Sequence, residues 1–283
     1  MNEQTGEAPG ERQGGQGGHG GQAEAEERLR RGSSFGGAAA AYAEHRPDYA
    51  EAAVRWALEP VWDRRPVRVV DIGAGTGKLT ATLVGLGAEV TAVEPDPQML
   101  AELRRAMPEV RSVPGSAEEM PLPDASVDAV LAGQAMHWFD LDRAMPEIAR
   151  VLRPGGVLAG LWNVDDDRVG WVADLAELSK RKASITLLRW RDGAGRSRQQ
   201  RLLETGSRLF HAAEEGEFGH GQARTADSLL ATIGTHSHLL VMDEAERAGL
   251  LARVRDFLRS QPETSNGEFT LPMVTVALRA LRK

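Results

Sequence analysis

Three glycines on alternate positions, Gly73, Gly75 and Gly77, follow a run of β-formers ending in Asp71-Ile72, and a helical pattern begins at Lys78. Glycine lets a chain turn sharply and lets a ligand lie against bare backbone. The first turn of a following helix offers N–H groups without intrahelical partners. Dinucleotide sites use GxGxxG, with the third glycine one residue later than in the GxGxG found here. Such glycines also occur in purely structural turns, so a second feature has to decide. Glu94 supplies it. This acid ends a strand-like run, Glu89-Val90-Thr91-Ala92-Val93, and lies 23 residues after Asp71. A ribose-binding carboxylate is expected roughly 20 residues beyond the glycine turn. Neighbouring parallel strands end at one edge of the sheet, so a carboxylate at the tip of the second faces the turn after the first. Glu94 is either a solvated strand-end acid or an acceptor for two ribose hydroxyls, and its place beside the turn favours the second role.

His137-Trp138-Phe139-Asp140 comes directly after a further strand pattern. Carboxyl ends of parallel strands face the ligand crevice. His137 could therefore act as a general base or hold a substrate, or it could cap the core and orient the loop. Trp138 could wall a pocket, or fill the core as aromatics routinely do. His236 and His238 would share one face if their segment were a strand. No third ligand stands near them and the chain has no cysteine, so no metal site is expected. Asp165-Asp166-Asp167 reads as a solvated charge run. Its spacing from Asp140 does not suit a magnesium-dependent reaction.

Placing these residues takes an alternation of strands and helices. Strands are expected at 67–72, 89–94, 110–113, 127–132 and 157–162, and helices at 78–86, 97–107 and 142–152, with a looser one after the fourth strand. Arg153-Pro154-Gly155-Gly156 signals a turn before the fifth strand. Alternation of this kind makes a doubly wound, mostly parallel α/β sheet with right-handed crossovers. Before it, residues 38–50 and 49–58 look helical. Beyond Asn163 come an amphipathic stretch at 171–188, a basic segment at 189–201, a short strand at 218–222, helices at 226–233 and 245–259, and a last strand at 269–278. Residues 1–33 are rich in Gly, Gln and Glu and have no aromatic. They lack the apolar surface that ordering requires and are expected to be disordered. Three units follow: a tail at 1–33, a ligand-binding core with an N-terminal helical lid at 34–163, and a helical substrate-side insertion with the last strands at 164–283.

The chain has 283 residues, 41% of them hydrophobic, with 34 basic and 41 acidic side chains and a net charge of −7. That length suits one elaborated α/β domain or two small ones. The acidic balance argues against non-specific nucleic-acid or anionic-membrane binding. Without cysteine there is no disulfide framework and no thiolate nucleophile. No apolar run approaches a membrane span, and the first residues lack the apolar core of a signal peptide. A cytoplasmic enzyme is expected, monomeric or homodimeric, with a small-molecule partner.

The segments DIGAGTGKLT, AVEPDPQML, GSAEEMPLPDASVDAVLAGQAMHWFD and VLRPGGVLAGLWN, in that order, resemble the class I S-adenosylmethionine-dependent methyltransferases. Within them the likeness is greatest to small-molecule enzymes of the trans-aconitate methyltransferase type. The resemblance is strong over residues 35–163 and weak beyond. It implies a seven-stranded sheet whose sixth and seventh strands close it, and S-adenosylmethionine as cofactor. It also implies roles for single residues. Asp71, Gly73, Ala74 and Gly75 would hold the amino-acid part, Asp71 taking the ammonium through water, and Glu94 would hold the ribose. Pro95 to Met99 would flank the adenine, with Met99 against its face, and Ala117 and Glu118 would meet the adenine amine. Gln134 would lie where the methyl emerges. On the lid, Tyr42 would meet the cofactor, Arg46 would pair with its carboxylate, and Tyr49 would border the transferring methyl. Trp138, His236 and His238 would line the acceptor pocket. Two other functions fit the glycine turn: a nicotinamide oxidoreductase, which GxGxG and the Glu94-Pro95-Asp96 loop oppose, and a non-catalytic S-adenosylmethionine-binding protein.

Overall fold

The computed structural model describes residues 48–179, 206, 208–234, 239 and 242–283. Its elements run α1 (Glu51–Leu58), β1 (Arg68–Ile72), α2 (Lys78–Gly85), β2 (Glu89–Val93), α3 (Pro97–Ala106), β3 (Arg111–Val113), β4 (Val127–Gly133), α4 (Leu141–Val151), β5 (Leu152–Asp165), α5 (Gly170–Leu178), β6 (Glu214–Thr225), α6 (Ala226–Gly234), α7 (Glu244–Ser260) and β7 (Glu268–Leu281). The seven strands form one sheet in the order β3-β2-β1-β4-β5-β7-β6. Pairings among β1 to β5 are parallel, and β7 runs antiparallel to both β5 and β6.

Strands covered by helices on both faces read as continuous apolar runs. β4 does so from Ala129 to Ala132, and every residue from Val127 to Ala132 is buried, Asp128 included. Val69, Val90, Ala129, Leu131 and Leu161 point to the face covered by α1 and α2. Val70, Ile72, Val130, Ala132 and Leu158 point to the opposite face, covered by α4 through Met145 and Ile148. Burying each of the valine, leucine and isoleucine side chains among these contributes roughly 1.5–3 kcal/mol. α3 starts at an Asp96 cap whose Oδ1 accepts from the N–H groups of Gln98 and Met99, with Pro97 in the first turn, where a missing N–H costs nothing.

The turn expected at Arg153-Pro154-Gly155-Gly156 is instead a bulge inside β5. Leu152 pairs with Val127, and pairing resumes only at Val157. Gly155 takes φ +67° there. In place of a regular helix after β4 there is one 3-10 turn, Met136–Trp138. The helix expected from Tyr49 begins at Glu51. β6 spans Glu214–Thr225, longer than the short strand expected, and all twelve residues pair with β7. The parts expected at 1–33 and 189–201 lie outside the described residues, as does most of the stretch expected to be helical beyond Leu178.

β7 begins where β5 ends, with Met273 opposite Asp165, and β6 ends opposite the same part of β7, with Thr225 opposite Glu268. The helices that follow these strand ends gather at that edge. Trp171, Leu175, Leu229, Ile233, Leu250, Val254, Phe269 and Leu271 form a separate apolar core there. The edge at which β1 to β5 end thus carries a helical cap. Among the described residues no helix is long and apolar enough to cross a membrane.

Candidate active site

The glycine turn is built by three backbone hydrogen bonds. Gly73 and Ala74 donate to the Val93 carbonyl (2.9 and 3.2 Å), and Gly77 donates to that of Ala74 (2.9 Å). The first two tie the end of β1 to the end of β2. Gly73, Gly75 and Gly77 sit at φ +66°, +58° and +93°, the left-handed region that costs other residues energy. A Cβ on Gly73 would also lie 2.7 Å from that of Ala135. The glycines are thus required by the backbone and leave it bare on the ligand side.

Glu94 is buried, and it clamps this turn. Its Oε2 accepts from the Gly75 N–H and its Oε1 from that of Asp96, both at 2.8 Å. Burial pushes its carboxyl upward, and the two N–H groups pull it back. Asp71 is fully buried. Its Oδ2 accepts from Thr80 Oγ1 at 2.6 Å. Burial raises its carboxyl to about 7, helped by the Glu94 charge and opposed by the Thr80 hydroxyl. Asp71 Oδ1 and Thr76 Oγ1 are buried with no hydrogen-bond partner among the described residues. Buried polar groups are nearly always paired. Two unpaired oxygens beside a bare glycine turn therefore fit a polar ligand that completes them. A small ligand with a cationic amine at one end and hydroxyls at the other matches Asp71 and Glu94.

Met99 is buried, its Sδ 3.5 Å from a Cβ built on Gly75. Pro95 is exposed and Ala117 is buried. Glu118 is half-buried, and its Oε1 accepts from the Asp140 N–H at 2.8 Å, joining the loop after β3 to the loop after β4. Gln134 takes φ +53°. Its backbone N–H donates to the Leu161 carbonyl and its Nε2 to the Asn163 carbonyl, both at 2.8 Å. His137 is exposed on the 3-10 turn, and its ring lies against that of half-buried Trp138, centroids 4.7 Å apart.

Tyr49 reaches the same place from the other side. A Cβ on Gly133, at the end of β4, would sit 2.5 Å from the Tyr49 hydroxyl. Gly133→Ala is accordingly expected to displace the Tyr49 ring and to cut methyl transfer while leaving the melting temperature nearly unchanged; steady-state rates beside a thermal melt check this. The flanking residues are fixed to the sheet. The Asp48 carbonyl accepts from Asn163 Nδ2 (3.0 Å), and the Ala50 N–H donates to Thr275 Oγ1 (3.0 Å). Lys78, at the start of α2, pairs with the Asp48 carboxylate at 3.1 Å.

The structure thus brings Asp71, the glycines, Glu94, Met99, Ala117, Glu118, Gln134, Trp138, His137 and Tyr49 to one sheet edge. Tyr42, Arg46, His236 and His238 lie outside the described residues. Sequence reasoning passed over Thr80, Asn163, Thr275 and His220. Thr80 had a local signal, one turn into the helix after the glycines. The other three had none.

Residues 70–160 match the family described as Methyltransferase domain. An uncharacterized methyltransferase of Mycobacterium tuberculosis is 42% identical over 248 residues, which cover 87% of this chain and 95% of that protein. This chain is a class I S-adenosylmethionine-dependent methyltransferase. An uncharacterized methyltransferase-like protein of Schizosaccharomyces pombe is 29% identical to this methyltransferase over 233 residues, covering 80% of the one and 86% of the other. Among solved structures, one assigned as a type II methyltransferase from Anaeromyxobacter dehalogenans superposes with a TM-score of 0.60 at 28% identity, covering 84% of this methyltransferase and 97% of that chain. Membership replaces the oxidoreductase reading of the GxGxG turn. In this methyltransferase the unpaired oxygens and the bare turn fit S-adenosylmethionine.

Proposed function

We propose that the enzyme methylates a small-molecule acceptor held between the ends of β4 and β5 and the helical cap. The observation that carries this reading is the cap itself, whose separate apolar core gathers on the β5-β7-β6 side of the sheet edge at which the glycine turn opens. A site flanked in this way suits an acceptor that enters whole, and the net charge of −7 disfavours non-specific nucleic-acid binding. In this reading residues 34–163 hold the cofactor and residues 164–283 shape the acceptor side.

S-adenosylmethionine supplies a methyl already activated by its sulfonium. What remains for the chain is positioning and exclusion of water. Asp71 would take the ammonium through water and Glu94 the ribose hydroxyls. Met99 packs on the adenine, with Pro95, Ala117 and Glu118 around its rim. Tyr49 and Gln134 border the methyl, and Trp138 borders the acceptor. Tyr42, Arg46, His236 and His238 keep the roles that family resemblance implies.

No base is needed when the acceptor is a carboxylate, which is ionised near neutral pH. A hydroxyl or an ammonium must lose a proton, and there a histidine base contributes roughly 10²–10⁴-fold. His137 is exposed and lies against Trp138, an arrangement suited to orienting the loop, and the carboxylate case is favoured. His137→Ala is then expected to lower turnover only mildly, with a flat profile of turnover through pH 6–7 when S-adenosylmethionine is saturating. A steep profile that the substitution abolishes would reverse the assignment. The reading as a whole is tested by calorimetry with S-adenosylhomocysteine and NAD, followed by an acceptor screen read by mass spectrometry. Micromolar S-adenosylhomocysteine, no NAD, and a methylated metabolite are expected. Methylation confined to protein or nucleic acid would overturn it.

A further inference from the structure

A chain of buried polar groups runs from the Tyr49 segment to the outermost strand. Asn163 on β5 and Thr275 on β7 are buried, and they face each other across the paired strands. Their hydrogens can be placed by elimination. The Asp48 carbonyl can only accept, so Asn163 turns Nδ2 toward it and Oδ1 toward Thr275. Thr275 Oγ1 lies 2.6 Å from that Oδ1 and must give it its single hydrogen. The same oxygen then has two lone pairs left. One takes the Ala50 N–H at 3.0 Å, and the other faces His220 Nε2 at 3.3 Å. His220, half-buried on β6, must therefore carry its hydrogen on Nε2 and donate it. Burial holds the imidazole toward its neutral form, against the pull of the Asp48 carboxylate.

We propose that His220 fixes Tyr49 in position at the transfer site, acting through Thr275 and Asn163. It is a positioning residue, supplying the last donor of the network. Both residues next to Tyr49 hang on that network, Asp48 by its carbonyl and Ala50 by its N–H. Without the His220 donor, one lone pair of a fully buried hydroxyl goes unmet, and the cost of an unmet buried acceptor favours rearrangement over persistence. The hydroxyl rearranges by giving up Asn163 or Ala50, and either loss shifts the backbone beside Tyr49. The Tyr49 hydroxyl stands over Gly133, so small displacements are felt at the end of β4. The inference rests on the placement of Tyr49 beside the transferring methyl.

Two tyrosines in the chain make the test direct. Full-length protein carrying 3-fluorotyrosine gives two fluorine resonances, and Tyr49→Phe identifies that of Tyr49. Glutamine can present an amide N–H where the histidine Nε2–H stood, whereas asparagine is too short. His220→Gln should leave the Tyr49 resonance in place. His220→Asn should move or broaden it, and Thr275→Val should move it at least as far. An unmoved resonance in His220→Asn overturns the proposal. So does a His220→Gln protein that behaves like the asparagine variant, since donation from Nε2 would then not be the operative feature. Adding S-adenosylhomocysteine alone tests the underlying placement separately. The Tyr49 resonance should respond to it in the parent protein. If the variants move Tyr49 and the ligand does not, the network holds but Tyr49 is not at the transfer site.

Discussion

Lowering the pH below 7 should weaken S-adenosylhomocysteine binding by about tenfold for each pH unit. Asp71 is the cause. In the free protein burial raises its carboxyl to about 7, so below that pH it holds a proton. The ligand ammonium stabilises the ionised form, and binding must expel the proton. Affinity therefore falls as pH drops below 7 and is flat above it, where the free carboxylate is already charged. Calorimetry in buffers of differing ionisation enthalpy should register about one proton released at pH 6 and almost none at pH 8. The sign for stability is opposite. A carboxyl whose folded pKa is raised binds a proton that the unfolded chain has released, so stability falls as pH rises from about 4 to about 7. That loss is present in full above pH 7. Asp71→Asn should consequently melt higher than the parent protein at pH 8, lose the pH dependence of binding, and bind S-adenosylhomocysteine at least tenfold more weakly. Equal affinity of parent and variant would remove Asp71 from the ammonium site.

Glu94→Ala should be costly in two ways. The carboxylate accepts from Gly75 and Asp96 inside the structure, and the ribose hydroxyls are proposed to meet its remaining lone pairs. Bonds to a charged group contribute roughly 1.5–3 kcal/mol each. Affinity should fall by roughly tenfold or more, and the denaturant midpoint should drop as well, because the Gly75 and Asp96 N–H groups lose their acceptor. An acid at a strand tip promises loss of affinity alone. The buried position found here adds loss of stability. Calorimetry beside urea titration separates the two, and unchanged affinity would leave Glu94 as a clamp of the turn only.

The parts of this enzyme that sequence revealed are those set by near neighbours. Asp71, the glycines and Glu94 lie at strand ends with strong β-patterns, and the parallel register that joins them follows from the alternation of strand and helix. Helix starts were legible where the cap is local, as Asp96 is for α3. They were not legible at α1, because the Ala50 N–H that delays the helix is taken by a threonine 225 positions away. β6 was read too short for a related reason. Its glycines and charged residues carry no strand signature, and the strand exists because β7 pairs with all twelve of its residues. Asn163, Thr275 and His220 are unremarkable polar residues in sequence. Only the antiparallel register of the last strands puts them in one chain of hydrogen bonds.

That register also bears on assembly. β7 is made after the other six strands of the sheet, yet it lies inside it, with β5 on one side and β6 on the other. Until it arrives, β6 has no partner and β5 presents an open edge of unpaired N–H and C=O groups, the kind of surface that recruits other chains. Pairing β5 with a strand more than a hundred residues away is also a slow, non-local step. A nascent or nicked chain lacking β7 is therefore expected to hold a complete glycine turn and yet be sticky. It would also lack Thr275, so the Tyr49 side of the pocket would be the last to set.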